Sequence, residues 1–144
     1  MRALDISRDA LEIAQKNADR HSLSDKVKFE YCDALSENFA REEEKYDLIV
    51  SNPPYIPTRD IASLSAEVHQ EPYSALDGGD DGLVFYKRFI EILPAKLNPG
   101  GAIIFEIGYD QKEALLALCK SAGLTHEFFR DYGGNVRGVV ITCN

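Results

Sequence analysis

Residues 46–55 read Tyr-Asp-Leu-Ile-Val-Ser-Asn-Pro-Pro-Tyr. The first six are almost continuously apolar, as expected of a strand covered on both faces in a parallel sheet. That strand runs straight into Asn52-Pro53-Pro54-Tyr55. Proline fixes its own φ and pushes the preceding residue into extended geometry, so Asn52 and Pro53 are both restricted. The prolines have no N–H to donate. What remains is a rigid segment rich in carbonyl acceptors, with an Asn side-chain oxygen that also accepts. In an open α/β sheet, ligands bind outside the carboxyl ends of the strands. A planar group bearing an NH2 fits between Asn52 Oδ1 and the Pro53 carbonyl, with Tyr55 against its face. The plainer reading, a turn that only ends a strand, suits Asn-Pro-Pro as well. The position directly after a buried strand weighs against it.

Outward from this segment, strand-like and helix-like runs alternate, which predicts a mainly parallel α/β sheet. Residues 2–6 form a short apolar run, and Ser7 stands where an N-cap belongs, with Asp9 in the first turn. Ala10, Leu11, Ile13, Ala14 and Ala18 recur at helical spacing, predicting an amphipathic helix over 8–21. Residues 27–32 read as a strand and 41–45 as a charged, solvated loop. Residues 56–81 contain Pro57, Pro72 and Gly78-Gly79 and read mostly as loop, with a short helix near 61–67. A loop that long is functional or mobile. Residues 82–93 have helical periodicity until Pro94 stops it. Residues 102–107 are a second buried strand. Residues 111–122 are a helix ended by Gly123. Residues 125–131 and 138–143 form a terminal antiparallel pair around Gly133-Gly134-Asn135. The run Asp77-Gly78-Gly79-Asp80-Asp81-Gly82 lacks the ligand spacing of a calcium loop and predicts a mobile turn before a helix.

The chain has 144 residues, room for one ordinary domain. Its 44% hydrophobic and 28% charged residues belong to a globular chain. Lys plus Arg number 16 and Asp plus Glu 24, a net charge of 16 − 24 = −8. Affinity for nucleic-acid backbone comes mostly from clustered Lys and Arg, so duplex DNA and long RNA are disfavoured partners. No apolar run approaches the roughly 20 residues of a membrane helix, and Met1 to Asp9 lacks the apolar core of a secretory signal. Cys32, Cys119 and Cys143 are far apart and odd in number, which argues for buried, reduced thiols rather than zinc or disulfides. His21, His69 and His126 lack partner motifs and read as surface or packing residues.

Two more strand ends carry carboxylates. Asp5 lies near the end of the first run and Asp33 just after the second. Either alone reads as a cap or turn residue. In a nucleotide-binding sheet, a carboxylate at the first of these positions can accept from both ribose hydroxyls, and one at the next from an adenine amine.

The order Ala3-Leu4-Asp5-Ile6-Ser7, then Asp33, then residues 47–56 (Asp-Leu-Ile-Val-Ser-Asn-Pro-Pro-Tyr-Ile) resembles class I S-adenosylmethionine-dependent methyltransferases, with their Rossmann-like sheet. Enzymes that methylate planar amino or amide nitrogens share the Asn-Pro-Pro-Tyr motif. The stretches EPYSALDGGDDGLVFYKRFI (71–90), PGGAIIFEIGYDQ (99–111) and RDYGGNVRGVVI (130–141) resemble the HemK/PrmC group, the glutamine N5-methyltransferases of peptide-chain release factors. That resemblance covers essentially the whole chain. It implies S-adenosyl-L-methionine as cofactor, bound by Asp5 through its ribose hydroxyls, with Asp33 and Ala34 bordering the adenine and Asn52 close by. It implies Asn52, Pro53, Pro54 and Tyr55 as the substrate-glutamine clamp, with Asn52, Pro53 and Tyr55 catalytic and no metal required. The implied partner is a release factor and the implied location the cytoplasm. A nucleic-acid exocyclic-amine methyltransferase and an inactive fragment are the alternative readings.

Members of that group also have a first strand followed by a glycine-rich loop, preceded by a small helical domain. This sequence contains no G-x-G-x-G and opens at what corresponds to the second strand. The expectation is a partial methyltransferase catalytic domain over 1–144, impaired in cofactor binding and self-associating through the open sheet.

Overall fold

Ser7 accepts a hydrogen bond from the Ala10 backbone N–H at 3.1 Å and starts α1 (Arg8–Arg20). The helix ends one residue earlier than its periodicity predicts: the His21 N–H donates to the Asn17 carbonyl and the Ser22 N–H to the Asp19 carbonyl, which closes the last turn. β1 (Arg2–Asp5) and β2 (Lys28–Tyr31) flank α1 and pair in parallel, with Arg2 opposite Lys28 and Asp5 opposite Tyr31. Arg2 ties this pair together through Glu30 at 3.0 Å and Glu42. The predicted loop over 41–45 is shorter than expected. Ser36 accepts from the Phe39 N–H and opens α2 (Glu37–Arg41), which buries Phe39 and takes Arg41 into the helix. The computed structural model describes residues 1–143, and its contacts divide into two units, Met1–Glu42 and the chain from Glu43 onward.

The second unit is built on four strands: β3 (Tyr46–Ser51), β4 (Leu97–Glu106), β5 (Thr125–Arg130) and β6 (Val136–Thr142), in the spatial order β3-β4-β6-β5. β3 and β4 are parallel, while β4–β6 and β5–β6 are antiparallel. The sheet is thus mixed rather than mainly parallel, because the terminal hairpin adds two strands beside β4. The helices are α3 (Tyr73–Leu76), α4 (Val84–Ile92) and α5 (Lys112–Ser121).

The core lies on one face of this sheet. Ile103 and Phe105 of β4, and Ile107 just after it, are buried, as are Val139 and Ile141 of β6, Tyr86 and Phe89 of α4, and Leu115 and Cys119 of α5. The Phe105 ring lies 5.8 Å from Phe89, nearly parallel, and 5.7 Å from Tyr86, edge-on. Each such side chain contributes about 1.5–3 kcal/mol by leaving water.

The opposite face corrects one expectation. Leu48, Ile49 and Val50 make the middle of β3 apolar, yet Leu48 is 53% and Val50 66% exposed. They stand beside Ala102 and Ile104, whereas Ile49 and Ser51 stand beside the buried Ile103 and Phe105. The core covers only that second set. Among the described residues β3 has a ladder partner only in β4, and β1 only in β2. A second correction concerns the thiols: Cys119 is buried and Cys32 half-buried, but Cys143 is exposed. Burial pushes the Cys32 and Cys119 thiols up, away from the reactive thiolate. Among the described residues no helix is long and apolar enough to cross a membrane.

Candidate active site

β3 delivers residues 52–55 to its own carboxyl end, and the segment that follows is stitched to the loop before α4. The Ile56 N–H donates to the Leu76 carbonyl at 3.0 Å, and the Gly78 N–H donates back to the Ile56 carbonyl at 2.8 Å. Thr58 repeats the pattern, with its N–H on the Gly79 carbonyl and its hydroxyl on Asp77 Oδ1 at 2.7 Å. These bonds, with the Gly79 N–H also on Asp77, hold the Asp77 carboxyl below its ordinary range. In the run where the sequence predicts a mobile turn, Asp77, Gly78 and Gly79 are each hydrogen-bonded to Ile56 or Thr58. The predicted helix near 61–67 is a 3-10 turn, Thr58–Ser63.

Two glycines allow this closeness. A Cβ on Gly78 would lie 2.8 Å from Tyr55 Cα, and one on Gly82, whose φ is +72°, would lie 2.4 Å from the Tyr55 carbonyl oxygen. Gln111 fills the remaining polar gap. Only 7% exposed, its Nε2 donates to the Tyr55 carbonyl at 2.9 Å and the Gly82 carbonyl at 3.0 Å, and its Oε1 accepts from the Gly108 N–H at 3.0 Å. The backbone of Tyr55 is therefore fixed by residues up to 56 positions away.

The result is a cavity of about 350 Å³ where Asn52, Pro53 and Tyr55 converge with Glu106 and Glu71, over apolar walls that include Leu64, Val68 and Leu76. Asn52 is exposed, Pro53 buried and Tyr55 half-buried. Pro54, expected in the clamp, is half-buried and does not line the cavity. Tyr55 packs its hydroxyl against an ion pair: Arg137 Nη2 donates to it at 3.2 Å, and it donates to Glu106 Oε1 at 3.4 Å. Burial pushes the Tyr55 phenol up, with Arg137 partly opposing the shift, so it is a neutral hydroxyl at neutral pH. The Tyr86 hydroxyl, fully buried, donates to the Glu106 carbonyl at 2.7 Å and fixes the end of β4. Acceptors dominate this cavity, so it suits a group that presents hydrogens.

In the first unit, Asp5 and Asp33 stand at the carboxyl ends of the parallel neighbours β1 and β2. Each carboxylate is exposed and uses Oδ1 to accept a local N–H, from Ser7 at 2.7 Å and from Leu35 at 2.9 Å. Both are turn residues, as their isolated readings suggest, and both keep acceptor capacity outward. Ala34 follows Asp33, half-buried. The histidines behave as packing and surface residues. His21 caps α1, His69 is exposed, and His126 lies edge-on to Phe128 at 5.9 Å. Sequence reasoning did not single out Glu106, Gln111 or Arg137. All three lie in quoted stretches, and only their distance along the chain from Tyr55 conceals their use.

Residues 1–122 match the model of the RMKL-like methyltransferase domain family. The chain belongs to that family. Among curated relatives, the release factor glutamine methyltransferase of Geobacter sulfurreducens is 44% identical over 115 residues, 79% of this chain and 39% of that protein. The Bacillus subtilis enzyme of the same name is 41% identical over 140 residues, 95% and 48%. The ribosomal protein uL3 glutamine methyltransferase of Francisella tularensis is 41% identical over 133 residues, 92% and 41%. The chain thus spans half or less of the length of these relatives. The ribosomal protein L11 methylase of Lactobacillus delbrueckii subsp. bulgaricus superposes with a TM-score of 0.64 at 22% identity, covering 98% of this chain and 56% of that one. The hMettl16 catalytic domain, solved with a MAT2A 3'UTR hairpin, gives 0.69 at 19%, covering 98% and 54%. At such identities the likeness concerns the fold, which is the α/β methyltransferase fold.

Proposed function

We propose that this methyltransferase chain serves the methylation, by S-adenosyl-L-methionine, of a glutamine side-chain amide nitrogen (N5) in a peptide chain release factor. The observation that carries this is the convergence of Asn52, Pro53 and Tyr55 in one acceptor-rich cavity at a strand's carboxyl end. Identities of 41–44% to relatives named for glutamine methylation support it.

An amide nitrogen is a poor nucleophile, because its lone pair is delocalised into the carbonyl. When bound, S-adenosylmethionine supplies an electrophilic methyl carbon on a sulfonium. The residues of this chain have to aim the nitrogen and tolerate positive charge on it. Asn52 Oδ1 and the Pro53 carbonyl accept the two amide hydrogens, which fixes the plane of the amide. The same two dipoles oppose the charge that develops on nitrogen during attack. Preorganised acceptors of this kind supply several kcal/mol of barrier reduction. Tyr55 closes one face of the amide. No histidine is needed as a base, since the nitrogen becomes acidic once alkylated and sheds its proton to solvent beside the exposed Asn52.

Asp5 and Asp33 fit the cofactor chemically. They are exposed, acceptor-only groups at neighbouring strand ends, suited to ribose hydroxyls and an adenine amine, with Ala34 giving methyl and backbone contact. In this reading residues 1–144 form part of a methyltransferase catalytic domain and work in the cytoplasm, where release factors act. The singly bonded edges of β1 and β3, with Leu48 and Val50 exposed, support self-association by strand addition.

The test is methyl transfer to three candidate substrates: a release factor, RNA and DNA. The reading expects one added methyl on a release-factor glutamine, located by mass spectrometry. Methylation of RNA or DNA with the release factor untouched would refute it.

A further inference from the structure

We infer that Arg137 and Glu106 are positioning residues that hold the Tyr55 ring as a fixed wall of the cavity. The inference rests on reading that cavity as the amide clamp.

The Tyr55 hydroxyl meets two groups of opposite charge from two different strands. Arg137 of β6, 82 residues away, donates to the phenol oxygen. Glu106 of β4, 51 residues away, accepts the phenol hydrogen. The two charges pair with each other at 3.5 Å, and the Arg137 guanidinium carbon lies 5.7 Å from the Tyr55 ring centroid. With one lone pair of the phenol engaged by Arg137 and its hydrogen by Glu106, both the ring's tilt and its rotation are set. Gln111 fixes the Tyr55 backbone independently.

Fold stability is a poor explanation for this arrangement. Arg137 and Glu106 are each more than a third exposed, and exposed ion pairs contribute little to stability. A ring that only had to pack would also be better served by apolar neighbours. The cavity itself gives the arrangement a purpose. Glu106 and Tyr55 both line it, and the amide's aim depends on the ring keeping its place. The match to the family model covers residues 1–122, so Arg137 belongs to a hairpin outside the matched region.

The test compares the wild-type chain with Arg137→Met, Arg137→Lys and Glu106→Gln, using 13C-ring-labelled tyrosine and steady-state methyl transfer to a release factor. The Tyr55 ring signal, assigned with Tyr55→Phe, should move in Arg137→Met and return towards wild type in Arg137→Lys. The melting temperature should change by no more than about 4 °C. In turnover, kcat should fall about tenfold or more in Arg137→Met while KM stays within about threefold, because the rest of the release factor still binds. Arg137→Lys should recover part of kcat. Glu106→Gln, which keeps the shape and an acceptor but removes the ion pair, should shift the Tyr55 signal even if Arg137→Met fails to fold. An unmoved Tyr55 signal in folded variants, or unchanged kcat in Arg137→Met, overturns the positioning role. A moved signal in a chain that methylates RNA or DNA and leaves the release factor untouched keeps the positioning role standing and refutes the proposed substrate.

Discussion

Gln111→Met is the most informative single change, because its effect follows from three hydrogen bonds of one buried side chain. Methionine matches glutamine in length and volume but has neither the N–H donors nor the amide oxygen. The Tyr55 and Gly82 carbonyls would lose a donor at 2.9 and 3.0 Å, and the Gly108 N–H an acceptor at 3.0 Å. Leaving a buried polar group unsatisfied costs about 1–3 kcal/mol. The three groups share one side chain and do not add fully, so we expect a loss of about 3–5 kcal/mol. For a chain of this size each kcal/mol moves the melting temperature by roughly 2–4 °C, so the midpoint should drop by roughly 6–20 °C. Urea unfolding followed by circular dichroism gives the free energy directly. Gln111→Glu adds a test of sign. Its carboxylate would face two carbonyl oxygens, so folding would raise its pKa. Protonation restores one donor, and stability relative to wild type should therefore recover as pH falls through that raised value. A loss under about 1 kcal/mol in Gln111→Met would mean that water or local relaxation replaces the amide, and the account of how Tyr55 is held would fail.

Asn52→Ala should lower kcat for methyl transfer by about a hundredfold or more, while calorimetric cofactor affinity changes less than about threefold. Equal losses in both would refute the clamp. Acid should destabilise the second unit through Asp77, held below its ordinary pKa chiefly by the Thr58 hydroxyl, and through Asp81, held there chiefly by Lys87. Their contribution is complete above the ordinary carboxylate pKa of about 4 and is lost as pH falls below it. Thr58→Val should flatten the acid limb of the stability profile, and an unchanged limb would contradict the assignment. Sedimentation of the chain should show dimers or larger species that Val50→Lys reduces, since a charge on an exposed edge strand opposes strand addition. A monomer at all concentrations would dismiss the open edges as an association surface.

The strands and long helices were legible because their signals are local. Ser7 caps α1 where an N-cap is expected, and β3 occupies the predicted six residues. The misreadings share a cause too. Leu48 and Val50 look like core because apolar content says nothing about which face receives helices. Residues 41–45 look like pure loop because their charge hides the Phe39 anchor that draws Arg41 into α2.

The candidate site divides along the same line. Asn52 and Pro53 announce themselves, since a proline pair after an apolar strand dictates geometry from the sequence alone. The residues that hold Tyr55 do not. A glutamine at the start of a helix, a glutamate in a strand and an arginine in a hairpin are ordinary surface choices when read locally. Their meaning comes from separations of 51 to 82 residues that only the sheet order β3-β4-β6 closes. β4 lies between β3 and β6, so its end brings Glu106 to the loop after β3, while β6 brings Arg137 from the far side. Local sequence therefore shapes the acceptors, whereas topology fixes the ring beside them. A substitution that leaves residues 52–55 untouched but alters the β4–β6 register should loosen Tyr55 as surely as one at Arg137.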